Sequence, residues 1–290
     1  CSCTTDHDSN LISMTDFMDI LAITEASKSY NFHSHTQFCD GRASMAEFAK
    51  AAVAEGIKHY GFSPHSPVPI ESPCNMRRED VPEYMAEVKR LQEVYKDSGT
   101  QFYAAMEIDY LGEEWGPNHP YFKSIGLDYA IGSVHFIPNQ EGVPVDIDGR
   151  YENFKAKMSQ YFHNDIRYVV DKFYEQSRKM IEAGGFNIIG HFDKVGHNAG
   201  HYCPDIELDP WYERHVHDLI DLIAEKGLIA ELNTKAWSEH HRMFPNTRYL
   251  KRVLQRGVPI IVNSDAHYPN LISASRAEGF AQLEAAAKQI

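Results

Sequence analysis

Residues 30–41 read YNFHSHTQFCDG, an apolar and aromatic run that ends in two histidines one residue apart, with an aspartate five positions after the second. Alternate side chains of an extended chain leave on the same face, so His33 and His35 present their imidazoles together. Two neutral imidazoles from one strand form a two-point clamp for a metal ion. The pair alone fits one packed and one solvated histidine equally well, so the rest of the chain decides.

From Tyr30 onward, β-type runs alternate with helical patterns. NFHSH (31–35) precedes SMAEFAKAAVAEG (44–56), where Ser44 and Glu47 form a capping box and Gly56 ends the helix. HYGFSPH (59–65) reads as the second strand, followed by a helix over 79–99 with Asp80 as N-cap and Pro82 in its first turn. QFYAAMEIDYL (101–111), DYAIGSVHF (128–136), FNIIGHFD (186–193), LIAELNT (228–234) and PIIVNSDAH (259–267) read as the remaining strands. A longer excursion over 137–184 carries an amphipathic helical segment. Seven strand–helix units without repeats or a linker imply one parallel sheet covered by helices, closed or nearly closed into an α/β barrel. The barrel is expected to be a single domain over residues 30–290.

The ionisable residues share one address in this pattern. His33 and His35 end the first strand, with Asp40 in the loop behind it. His65 ends the second, Glu107 lies on the third, and His135 and His191 end the fourth and fifth. Asp265 and His267 end the last. In barrel folds that C-terminal rim is where active sites assemble. Six histidines and three carboxylates exceed the needs of one tetrahedral ion, so two or three divalent ions are expected. Nitrogen and carboxylate donors without thiolate suit zinc, manganese or iron. Glu107 is the candidate bridge between ions.

Composition narrows the function classes. A net charge of −13 argues against a broad nucleic-acid-binding surface. It also disfavours a phosphorylated substrate unless bound cations offset it locally. No stretch approaches the roughly 18 apolar residues of a membrane span. The five cysteines are scattered without a CxxC pair, which indicates a reducing, cytoplasmic setting rather than a disulfide framework. Residues 1–29 read as a leader of uncertain order, with MTDFMDILAI as a short helix and Met14 as a possible start. Cys1 followed by small polar residues leaves an alternative, the lipidated mature end of a bacterial envelope lipoprotein.

Taken together and in order, HSHTQFCDG, GFSPHSP, MEIDY, GSVH, GHFD and NSDAH resemble the PHP (polymerase and histidinol phosphatase) family of phosphoesterases, in its histidinol-phosphatase branch. The resemblance implies a distorted (β/α)7 TIM-like barrel with a trinuclear metal site. It implies that His33, His35 and Asp265 hold one ion, with Glu107 bridging to a second held by His135 and His191. Asp40, His65 and His267 would hold the third, with Asp40 at a position that is often histidine in such proteins. Arginines after the GHFD and ELNT strands are expected to clamp the phosphate. Here those regions read KVGHNAGH, with Lys194, His197 and His201, and KAWSEHHR, with Lys235, His240, His241 and Arg242. Arg242 is the leading candidate, with His197 and His65 beside it.

The expected reaction is hydrolysis of a small phosphate monoester, L-histidinol phosphate first among them, in histidine biosynthesis. Glu107 serves as the bridging ligand, and Asp265 or His267 attends the departing alkoxide. Another phosphorylated small molecule is the alternative substrate. A metal-dependent amidohydrolase is a second reading, since it also uses HxH on the first strand and Asp on the last. It would want a bridging lysine at a middle strand end, and none stands there. A metal-binding or polymerase-accessory module without catalysis is a third. Oligomeric state stays open.

Overall fold

The structure, a computed structural model, describes residues 17–290. In chain order the strands are β1 (Tyr30–Asn31), β2 (His59–Phe62), β3 (Gln101–Asp109), β4 (Tyr129–Ser133), β5 (Phe136–Pro138), β6 (Pro144–Asp146), β7 (Ile188–Ile189), β8 (Ile229–Asn233) and β9 (Ile260–Asn263). Seven of them form one sheet in the order β1-β2-β3-β4-β7-β8-β9, every pair parallel. β5 and β6 make a separate antiparallel hairpin within the excursion after β4. The helices are α1 (Ile20–Ala26), α2 (Met45–Ala54), α3 (Val81–Val94), α4 (Pro120–Lys123), α5 (Tyr151–Tyr161), α6 (Ile166–Ala183), α7 (Val195–Tyr202), α8 (Pro210–Glu225), α9 (Trp237–His240), α10 (Leu250–Gln255) and α11 (Arg276–Ala287).

The sheet comes round until β9 lies beside β1, and asparagine side chains stitch that seam. Phe32 N–H donates to Asn263 Oδ1 at 2.9 Å, and Ser264 N–H donates to Asn31 Oδ1 at 3.1 Å. Backbone pairing resumes above them, where His35 N–H donates to the Ala266 carbonyl at 2.8 Å. These substitutions explain why β1 is shorter than the NFHSH reading: side chains take over part of its ladder. β7 is shorter than FNIIGHFD for a related reason. Gly190 still reaches the Gly132 carbonyl at 3.0 Å, but His191 N–H turns to Glu231 Oε2 at 3.1 Å. A Cβ on Gly190 would lie 2.5 Å from Ser133 Oγ, so only glycine fits between β4 and β7 there. DYAIGSVHF is not one strand either, because the chain leaves the barrel after Ser133 and enters the hairpin.

Several helix signals act as the sequence indicates. Ser44 and Glu47 form both halves of a capping box on α2, a contribution of about 1 kcal/mol. Pro82 sits in the first turn of α3, whereas the Asp80 carboxylate holds Arg77 at 2.9 Å instead of capping a backbone amide.

One inward row of side chains changes character along each of four strands. β3 runs Ala105, Glu107, Asp109; the β4 line runs Tyr129, Ile131, Ser133, His135; β8 runs Ile229, Glu231, Asn233; the β9 line runs Ile261, Asn263, Asp265. The first members join Phe32 and Ile188 in an apolar layer at the bottom of the barrel. The later members carry the polar and ionisable groups at the top. Each buried Ile in that lower layer stabilises the fold by roughly 1.5–3 kcal/mol. In β1 and β7 the alternation breaks between Phe32 and His33 and between Ile188 and His191, where the ladders end.

Residues ahead of the expected boundary at residue 30 are packed as well. Asp19 caps α1 by accepting from Ala22 N–H at 3.0 Å, and Ile20 is buried in the lower apolar layer, with Phe17, Met18, Leu21 and Ile23 packed on it. Phe17, Met18 and the apolar side of α1 therefore pack against the lower layer of the barrel. The readings of Cys1 and Met14 lie outside the described residues. Among the described residues, no helix is long and apolar enough to cross a membrane, and Cys39, Cys74 and Cys203 are free thiols.

Candidate metal centre

All nine residues singled out as ligands meet at the top of the barrel. Glu107 stands at the middle, 1% exposed, and divides its two oxygens between two sets of imidazoles. Oε2 faces His65 Nδ1 at 3.1 Å, His33 Nε2 at 3.3 Å and His35 Nε2 at 3.6 Å. Oε1 faces His191 Nε2 at 2.7 Å and His135 Nε2 at 3.5 Å, and accepts from Ser133 Oγ at 2.7 Å. Asp265 adds its Oδ1 2.9 Å from His35 Nε2 and 3.8 Å from His33 Nε2. Asp40 places Oδ1 3.4 Å from His267 Nε2 and 3.8 Å from His65 Nε2.

These donors fall into three groups compact enough for an ion: His33–His35–Asp265, Glu107–His135–His191 and His35–Asp40–His65–His267. His65–Asp109–His135 is a fourth, overlapping set. Asp265 has a left-handed backbone, φ +50°, unusual for a residue with a side chain. Asn233 Nδ2 donates to its Oδ2 at 3.0 Å and Lys235 Nζ lies 3.5 Å from its Oδ1, so its carboxylate is held over the cluster.

Two carboxylates absent from the sequence reading brace the cluster from behind. His33 Nδ1–H donates to Glu231 Oε1 at 2.6 Å, and His135 Nδ1–H donates to Asp109 Oδ1 at 2.7 Å. Both hydrogen bonds assign the proton to Nδ1 and leave Nε2 with its lone pair toward the centre, the arrangement that imidazole ligands of metals use. Their signals were present. Asp109 lies two residues beyond Glu107 on the same inward row, and Glu231 is an acid inside an apolar strand. With Glu231, the strand β8 joins the other six in supplying the site.

Electrostatics follow from this packing. Burial works to raise Glu107, yet His33, His135, His65 and His191 hold its carboxyl well below the usual range. Burial works to lower His135, but Asp109 and Glu107 outweigh it and hold the ring at about 9. The pocket is thus built to attract positive charge, which a divalent cation supplies more fully than protons do. The residues fit such ions on a further ground. His33 Nε2, His35 Nε2, Asp40 Oδ1 and His65 Nδ1 are buried polar atoms without a well-formed hydrogen bond, and they face one another. Orphaned buried groups of this kind are rare unless they serve a ligand.

Asp40, His65, Glu107, His135, Asp265 and His267 line a cavity of about 450 Å3, and His33, His35 and His191 do not border it. The hairpin β5–β6 and α5 wall one side through Val143, Asp146 and Lys157, and residues 70–75 wall another. Two expected substrate residues are not there. Arg242 and His197 line a different cavity, together with His201 and His240. The Arg242 guanidinium is tied down by Asp193 Oδ2 at 3.0 Å and Glu207 Oε2 at 2.7 Å, so its fork geometry is spent on carboxylates of the fold. Lys194 and Lys235, from the same two sequence regions, do border the cluster's cavity, as does His65.

A family model, the PHP domain, matches residues 31–235. A probable histidinol-phosphatase of Deinococcus radiodurans is 27% identical over 266 residues, covering 87% of this chain and 91% of that protein. Among solved structures, a putative histidinol phosphatase of Listeria monocytogenes superposes with a TM-score of 0.76 at 17% identity, over 86% of this chain and 99% of that one. A histidinol phosphate phosphatase of Lactococcus lactis, solved with zinc, L-histidinol and phosphate, superposes with a TM-score of 0.66 at 16% identity, over 89% and 94% of the two chains.

Proposed function

The chain belongs to the PHP-domain family, and on that premise we propose that it is a metal-dependent phosphatase releasing phosphate from a small monoester, L-histidinol phosphate foremost. The observation that carries the reading is Glu107, whose oxygens are divided between two histidine sets and which itself borders the cavity. Substrate identity rests on the relatives: one is named a probable histidinol-phosphatase, and another was solved with L-histidinol and phosphate. The free thiols of Cys39, Cys74 and Cys203 support a reducing, cytoplasmic setting for the reaction.

In this proposal His33, His35 and Asp265 hold one divalent ion, Glu107, His135 and His191 a second, and Asp40, His65 and His267 a third. Zinc, manganese and iron match the donor set. Divalent ions bound there would supply Lewis acidity for the phosphoryl oxygens and for an attacking water. The remaining work belongs to the chain. Glu107 ties two ligand sets at a set spacing. Glu231 and Asp109 keep His33 and His135 in the Nδ1–H tautomer. Asp265 and His267, both on the cavity wall, attend the oxygen that leaves with the alcohol.

The test is a phosphate-release assay of the metal-loaded protein against a panel of monoesters that includes L-histidinol phosphate, with elemental analysis of the same sample. Turnover of L-histidinol phosphate at least tenfold above the other esters is expected. Release from no phosphate monoester would remove the phosphatase reading, and preference for another ester would remove the substrate.

A further inference from the structure

We propose that Lys194 and Lys235 are the side chains that grip the phosphoryl group, and that Asp148 positions Lys194 for it. This inference rests on the phosphatase reading and names the residues that complete its site. A phosphate above a cluster of cations still presents oxygens away from the metals, and those require donors from the protein. Arg242 cannot supply them from the neighbouring cavity, with both of its carboxylate partners already engaged.

The two lysines stand where the donors are needed. Lys194 follows β7 and Lys235 follows β8, adjacent strands of the barrel, and both border the cavity above the cluster. The Lys194 side chain is 16% exposed, with Nζ 2.7 Å from Asp148 Oδ2. Asp148 belongs to the loop after β6, so the excursion reaches across the cavity and holds this ammonium. One carboxylate partner orients a lysine and leaves two of its three N–H donors uncommitted.

Lys235 Nζ lies 3.5 Å from Asp265 Oδ1 and 3.2 Å from His267 Nε2. Both atoms are ligand candidates, and once their lone pairs are given to an ion the ammonium needs another acceptor. A phosphoryl oxygen bound over the same ions is the acceptor within its reach. A point-charge ammonium on a flexible stem also tolerates small shifts of the phosphate better than a bidentate guanidinium. Lys157 on α5, also in the cavity, is paired with Asp146 at 3.0 Å on the hairpin wall, and Lys89, exposed on α3 and bordering neither cavity, serves as the control.

The experiment measures inorganic phosphate binding by calorimetry on the metal-loaded protein, with metal content and the KM and kcat of a phosphate monoester measured in parallel. Lys194→Ala and Lys235→Ala are each expected to weaken phosphate binding and raise KM by about 10- to 100-fold, the worth of a hydrogen bond to a charged group. Metal content stays unchanged, and Lys→Arg at either position recovers most of the loss. Asp148→Asn gives a smaller loss of the same kind, and Lys89→Ala none. Phosphate binding as in the wild type in both Lys→Ala variants overturns the inference. So does loss of metal, which would make the lysines part of the ligand cluster. A wild-type protein that neither binds phosphate nor releases it from any ester overturns the phosphatase reading itself, a distinguishable result.

Discussion

Two regions of this molecule are crowded with histidine, and they differ in what stands between the rings. At the top of the barrel His33, His35, His65, His135, His191 and His267 interleave with Asp40, Glu107 and Asp265. Beside α7 and α9, His197 lies 4.7 Å ring to ring from His201 and 4.8 Å from His240. In the first region carboxylates outweigh burial and hold His135 up at about 9. In the second, burial together with His201, His240 and Arg242 drives His197 down to about 4. His135 is thus held up by the carboxylates beside it, whereas burial comes first in lowering His197 and, within the cluster itself, His35, His191 and His267. Histidine density alone does not make a cation site; interleaved carboxylates and rings braced from behind do. Among the described residues only the first region brings its donor atoms close enough together to share ions.

The contrast can be broken or sharpened by experiment. The largest effect is expected at Glu107. Glu107→Ala should lower turnover about 1000-fold or more and reduce bound metal by more than one ion, as the loss of a shared electrostatic anchor implies. Full metal content with full turnover in that variant would show that Glu107 bridges nothing. Next comes removal of metal from the intact protein. Exhaustive chelation should abolish phosphate release and lower the thermal midpoint by several degrees, since ligand binding to the folded state alone is worth about 4 kcal/mol at a thousandfold excess over Kd. Restoring zinc or manganese should reverse both, and an unchanged melting curve would argue against ions seated in the core.

The braces should matter less than the ligands. Glu231→Gln and Asp109→Asn are expected to weaken metal affinity about 10- to 100-fold while leaving the fold intact. A competition titration against a chromophoric chelator reads this directly, and wild-type affinity in both variants would reduce them to packing residues. The smallest effect is expected in the other region. Replacing His197, His201 and His240 with Ala should leave metal stoichiometry unchanged, with stability shifts of about 0.5 kcal/mol or less at the exposed His201 and His240 and about 1 kcal/mol at the half-buried His197. A drop in stoichiometry there would erase the distinction between the two regions.

Much of this was legible before any coordinates. The alternation of β-type and helical patterns indicated the seven-stranded barrel, and the recurrence of His, Asp and Glu at strand ends indicated the rim. Strand lengths were less readable, because the ladders at β1 and β7 are interrupted by side chains from distant strands, Asn263 and Glu231. Glu231 and Asp109 escaped notice because a brace is defined by the ring behind which it stands, and that ring is distant in sequence. Arg242 was misread for the converse reason. An arginine near a strand end looks like a phosphate clamp until Asp193 and Glu207 are found holding it.

What the sequence determined by itself was the set of donors and their common address, since side-chain periodicity and the direction of each strand are local properties of the chain. Which oxygen of Glu107 meets which imidazole, which cation faces the cavity and which is neutralised in the wall were decided only by tertiary structure. Those outcomes depend on contacts between residues 26 to 233 positions apart, such as Glu107 with Ser133 and Asn31 with Ser264. No local pattern encodes such distances, because they are set by how the barrel closes.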